Sequence, residues 1–189
     1  MKEWIEFIKI IFIISLVYCL CYNNTANAIT LDEQIKIKSE LELICTSYKT
    51  TCNVRYIDLH IPQAYTTYHG NIVLSSGLTN YLSYNEIRAV GLHEVGHRVL
   101  NHYQKQDKFL KNWNFDRNEL KNFRYNNEFT ADLFATLYFK QTKQKNYLPE
   151  ALLKLTAPDK INVSTSSHPS TRIRIEKINQ IEFKTIFST

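Results

Sequence analysis

Four glycines and four prolines among 189 residues are too few for a collagenous or low-complexity chain. Charge of one sign is also scarce. The 23 Lys and Arg against 18 Asp and Glu leave a net charge of +5 with no basic stripe, which excludes a nucleic-acid footprint. Past residue 28, no apolar run approaches the roughly 20 residues that span a bilayer. What is present, 44% apolar and 13% aromatic residues, is an ordinary globular mixture of a length that suits one domain.

The longest apolar run stands at the start. Lys2 and Lys9 precede residues 10–22, which carry no charge and lead through Asn23-Asn24-Thr25 to Ala26-Asn27-Ala28. A charged start, a short apolar stretch and small residues two apart form the pattern of a secretory signal, here cleaved near Ala28. The run of 13 residues is too short to span a bilayer; counting back to Ile5 lengthens it to 18, so an uncleaved anchor is the alternative. The expected plan is a signal over 1–28 and a single domain over 29–189. Its expected place is periplasmic or secreted, or membrane-anchored through the first segment alone. Cysteine usage agrees with export: Cys19 and Cys21 leave with the signal, and the remaining pair, Cys45 and Cys52, predicts one disulfide in an oxidising compartment.

Residues 30–48 alternate charge and apolarity at helical spacing, with Leu31, Ile35, Leu41, Ile44 and Tyr48 expected on the packed side. The same helix admits a second reading, as an inhibitory segment over 29–50. A β-rich stretch at 54–61 stops at Pro62, and 64–68 and 72–75 flank a turn at His69-Gly70-Asn71, which predicts a small antiparallel sheet. Ser83 with Glu86 three residues on starts a helix carrying Ile87, Val90, Val95 and Val99. Residues 101–118 read as a solvated loop or a frayed extension, 117–143 as a third helix, and a fourth helix begins near Pro169. Gly91 and Gly96 fall inside the second helix, where each costs about 1 kcal/mol relative to Ala, so something must approach that helix closely.

That helix carries His93-Glu94-Val95-Gly96-His97. Two His four apart turn about 400° and project from one face, so both can bind a single ion, while Glu94 lies about 100° round, near a metal-activated water without being a ligand. A catalytic zinc site needs a third protein ligand and an open position. Glu128, 31 residues past His97, supplies a candidate, and Asp132 one turn later suits an acceptor for a ligand histidine's ring N–H. Positions 128, 131, 132 and 135 share a helix face made lean by Ala131 and Ala135, which can lie against the motif helix where its glycines remove bulk. His168, before Pro169, and Arg174 or Arg172 further on can serve as donors to an oxyanion.

His93, Glu94, His97, Glu128 and Asp132 together resemble the gluzincin pattern. The flanks, Gly77-Leu78-Thr79-Asn80-Tyr81-Leu82 through Asn85-Glu86-Ile87 into Ala89-Val90-Gly91-Leu92, resemble those of the family that holds the HtpX-like, Oma-type and CAAX prenyl proteases. His168-Pro169 and Arg174-Ile175 match the close of that family's catalytic core, so the resemblance spans roughly residues 60–180. It implies an α+β fold, a mainly helical zincin-like metalloprotease domain with a small antiparallel sheet packed on the motif helix. It also implies a metalloendopeptidase with one Zn2+ held by His93, His97 and Glu128, and Glu94 as base, with His168 and Arg174 facing the site. The expected form is a compact soluble one of the bacterial envelope, since the membrane helices of the larger types are missing and the segment between His97 and Glu128 is short and polar. Expected partners are protein or peptide substrates, with no nucleic acid and no membrane beyond the first segment. Two rivals stand beside this reading: a zinc protein with a structural or chaperone-like site closed by a fourth Cys or His, and an inactive binding module.

Overall fold

The computed structural model describes residues 28–111 and 116–186; the expected signal, with Cys19 and Cys21, falls outside the described residues. The chain runs α1 (Leu31–Ser47), β1 (Asn53–Ile57), β2 (Ala64–Thr66), β3 (Asn71–Ser75), α2 (Ser76–Tyr81), α3 (Tyr84–Val99), α4 (His102–Leu110), α5 (Arg117–Gln141), α6 (Leu148–Leu155) and α7 (Thr171–Ile186). The mainly helical α+β architecture is as expected. No helix among the described residues is long and apolar enough to cross a membrane.

The sheet corrects the expectation of a wholly antiparallel one. Strand order is β1-β3-β2; β2 and β3 form the antiparallel hairpin, but β1 lies parallel to β3. The chain reverses twice between these two strands, around 58–63 and around 67–70, and so re-enters in its original direction. β3 is therefore central, and its residues 72–75 are buried. β2 is left as an edge strand beside α3.

Helix α1 forms where expected, started by Thr30, whose N–H donates to Glu33 Oε2 at 2.8 Å. Its packed face differs from the sequence expectation. Ile37, Leu41, Ile44 and Cys45 are buried, whereas Leu31 and Ile35 are exposed. The buried set follows the i, i+4, i+7, i+8 spacing of one helical stripe, and Leu31 and Ile35 lie about 100° off it. This face packs on α3, where an added Cβ on Gly91 would lie 2.5 Å from Leu41 Cδ1. Arg88 and Glu40 bridge the same pair of helices, with Nε donating to Oε2 at 2.6 Å. Cys45 and Cys52 are joined as a disulfide that ties the end of α1 to the start of β1. On the chain-entropy argument so short a loop contributes about 2.5 kcal/mol. α1 is thus part of the core, which is not how a detachable inhibitory segment is built.

Three short helices went unread in the sequence. α2 follows β3 directly, α4 fills half of the polar segment 101–118, and α6 precedes the last helix. Residues 112–115 of that polar segment lie outside the described residues. The long helix α5 runs close to its expected bounds and lies along α3. The approach is tight where Gly96 faces it: an added Cβ would sit 3.0 Å from Ala131 Cα and 3.1 Å from Ala131 O. Of the two glycines expected to admit α5, Gly96 does so, and Gly91 admits α1 instead.

Candidate active site

Glu86 opens α3 by accepting the Ser83 N–H at 2.8 Å, and the helix then runs unbroken through the motif. His93 and His97 project from one side towards α5, as their four-residue spacing requires. Their Nε2 atoms are 3.0 Å apart. Glu128, on α5, places Oε2 3.7 Å from His93 Nε2 and Oε1 3.4 Å from His97 Nε2. Donor atoms about 2.0–2.2 Å from a tetrahedral metal are separated by roughly 3.4 Å, so this N, N, O set fits a divalent ion such as zinc. The three residues are buried, and their ligand atoms all lie within 4.8 Å of one another.

Behind these three residues stands an ionic brace. His93 Nδ1 donates to Asp132 Oδ1 at 2.8 Å, which leaves its Nε2 to face the ligand cluster. Arg174, on α7, donates to the same carboxylate twice, Nε to Oδ2 at 2.8 Å and Nη2 to Oδ1 at 2.6 Å. Its Nη1 lies 3.4 Å from Glu128 Oε2. Burial raises the pKa of Asp132, but Arg174 and then His93 outweigh it and hold the group at about 2. Glu128 is likewise held well below the ordinary carboxylate range: burial opposes its charge, while His97, His93 and Arg174 favour it. For His93 burial disfavours the imidazolium, and the bond to Asp132 overcomes that and raises its pKa. Arg174 thus reaches the site by its packing against the acids.

Glu94 is buried beside His93 and accepts the Thr66 hydroxyl at 2.8 Å through Oε2. Thr66 lies on β2, so the edge strand holds this carboxylate in place. A cavity of about 430 Å³ opens here, with Gln63, Tyr65, Val90, His93, Glu94 and Leu152 among its walls. A second, of about 380 Å³, also borders His97 and Glu128 and is walled by Gln106, Arg124, Asn127 and Ser167. His168 borders both cavities. Its ring is 57% exposed, with Nε2 3.8 Å from Glu128 Oε1, at the mouth of the site. Tyr103 also borders both; burial, then the charges of Glu94 and Glu128, push its pKa up to about 12, so it presents a neutral hydroxyl.

The geometry brings together His93, Glu94, His97, Glu128, Asp132, His168 and Arg174, whereas Arg172, also weighed from the sequence as a donor, is exposed and pairs with Glu176 at 2.9 Å. The geometry adds three that the sequence did not single out: Thr66, Tyr103 and His102, the last with Nδ1 2.9 Å from His97 Nδ1. For His102 a signal existed, since it stands five residues past His97, but a lone histidine in a polar stretch carries no periodicity to weigh.

Residues 36–115 match the family model described as Peptidase family M48. The match bears out the resemblance read from the sequence at the level of the peptidase family rather than of any one branch. Glu128, Asp132, His168 and Arg174 lie beyond the matched span, and geometry ties them to the motif. No curated protein matches the chain.

Proposed function

We propose that this peptidase is a zinc-dependent metalloendopeptidase acting on exported or envelope proteins, with His93, His97 and Glu128 as ligands and Glu94 as general base. The convergence of the two Nε2 atoms and the Glu128 carboxylate within 4.8 Å, beside an open cavity, carries this reading. A zinc ion held there supplies Lewis acidity, which lowers the pKa of a water and polarises a scissile carbonyl.

The chain's own residues do the rest. Glu94, oriented by Thr66, takes the proton from the attacking water and passes it to the leaving amine. Asp132 holds the ring of His93, and Arg174 keeps Asp132 ionised in a buried place. His168 and the Tyr103 hydroxyl stand at the cavity walls as donors for a developing oxyanion. That role suits Arg174 less well, because its guanidinium is engaged by Asp132. An extended substrate added to the free edge of β2 would run past Glu94, which makes recognition led by backbone and tolerant of sequence.

The rival structural site needs a closed fourth position. Cys45 and Cys52 are bonded to each other, so neither is a free thiolate for it. The deciding experiment follows hydrolysis of an unfolded protein such as casein with zinc quantified, beside Glu94→Gln. Cleavage lost in the variant with zinc retained supports the reading; equal cleavage by both removes Glu94 as base, and one zinc with no cleavage by either favours the non-catalytic rival. Export itself is tested by whether the purified native chain begins near Ile29.

A further inference from the structure

His102 is buried, although it opens a helix in a polar segment. Asn101 explains its position. It adopts a left-handed conformation, φ 54° and ψ 40°, which ends α3 and sends α4 off in a new direction. The first residue of α4 is thereby folded back against His97, one turn from the end of the motif.

The contacts form a chain. His97 Nδ1 is 2.9 Å from His102 Nδ1, and His102 Nε2 is 3.1 Å from Thr130 Oγ1 on α5. The Thr130 hydroxyl lies 2.8 Å from the carbonyl of Asn126 and 3.1 Å from that of Asn127. One arrangement of protons satisfies all of these. A carbonyl only accepts, so the hydroxyl proton goes to the α5 backbone. Thr130 Oγ1 then has lone pairs to offer His102, whose Nε2 must carry the hydrogen. A neutral imidazole has one N–H, so His102 Nδ1 is bare and accepts from His97 Nδ1–H. His97 is left with a bare Nε2, the atom that faces Glu128 at 3.4 Å.

We infer that His102 is the positioning residue of His97, a neutral imidazole locked by Thr130 that fixes the tautomer and aim of this ligand. The inference rests on the metal-centre reading above. It gives α5 a threefold part: Glu128 is a ligand, Asp132 orients one ligand histidine, and Thr130, lying between them in sequence, orients the other through His102. Any shift of α5 against α3 then moves all three together.

The test measures zinc affinity of the full chain by competition with a chromophoric chelator, independently of peptide hydrolysis. His102→Phe keeps a ring but offers no acceptor, and zinc should bind about 10- to 100-fold more weakly. His102→Gln supplies a carbonyl acceptor and should recover part of the loss, which a purely space-filling role would not. Thr130→Val should weaken zinc by less than His102→Phe does, and Thr130→Ser should bind as the parent does. Long-range 1H–15N spectra of the zinc-loaded parent should show the proton on Nδ1 of His97 and on Nε2 of His102. The inference is overturned by unaltered affinity in His102→Phe, or by a spectrum with His102 protonated on Nδ1. Should His102→Phe fail to fold, the Thr130 pair and the spectrum still decide. Absence of zinc binding by the parent removes the metal-centre reading and this inference with it.

Discussion

His93 and His97 stand one turn apart on the same helix, yet their second nitrogens meet opposite kinds of partner. His93 rests on a buried carboxylate that a bidentate arginine neutralises, a brace joining α3, α5 and α7. His97 rests on His102, Thr130 and a helix carbonyl, a wholly neutral relay between α3, α4 and α5. The contrast shows two ways of aiming an imidazole without exposing it to water. An ionic brace needs each of its charges, because removing one leaves the other buried and unpaired. A neutral relay needs only a consistent direction of donors, so its loss should affect the metal more than the fold.

The largest effect should come from cutting the ionic side. Asp132→Ala strips the buried Arg174 of its bidentate partner, leaving the weaker contacts with Glu128 and Glu94, and stability should fall by about 3–5 kcal/mol in denaturant unfolding, with zinc binding lost as well. His102→Ala, the matching cut on the neutral side, should cost about 1–3 kcal/mol. Equal losses from the two would erase the distinction. Reducing the Cys45–Cys52 disulfide, which contributes no group to either histidine, is the control: about 2.5 kcal/mol of stability should go while zinc affinity stays.

Acid should separate the two sides further. The folded pKa of Asp132, about 2, lies below the unfolded value of about 3.9, so its contribution is complete above pH 4 and lost as pH falls through the folded value. This shift corresponds to about 2–3 kcal/mol for Asp132. Unfolding of the metal-free protein followed from about pH 5 to pH 2 should show that loss, and Asp132→Asn should reduce it, leaving the part that Glu128 contributes. The smallest effect concerns the approach of the helices that both sides share. Gly96→Ala pushes α3 against the Ala131 backbone and should cost about 1–2 kcal/mol and weaken zinc. Gly91→Ala meets the end of the Leu41 side chain, so it should leave zinc affinity unchanged. Equal weakening of zinc by both would mean that the spacing of α3 and α5 does not set the site.

Much of this centre was legible before any fold was known. The motif pair, Glu128 and Asp132 are spaced by four, and that spacing dictates a shared helix face whatever surrounds it. The cap at Ser83 and the hairpin about Gly70 are equally local. Other expectations failed where the answer depended on a distant partner. Leu31 and Ile35 have the right chemistry for a core face, but the stripe that meets α3 passes through Ile37 and Leu41. The direction of β1 follows from two reversals that no strand encodes by itself. Short helices such as α2, α4 and α6 have too few turns for a periodic signal to stand out.

By itself, then, the sequence determined the local geometry: which residues share a helix face, where helices start, and the pair of histidines and the acids that one ion would need. Only the tertiary structure decided which partner each of these met. It put Arg174 behind Asp132, turned Gly91 to α1 and Gly96 to α5, and folded His102 back onto His97. The physical reason is that backbone hydrogen bonding sets residues three and four apart, while contacts between residues tens of positions apart are chosen by burying apolar faces and by pairing every polar group buried with them.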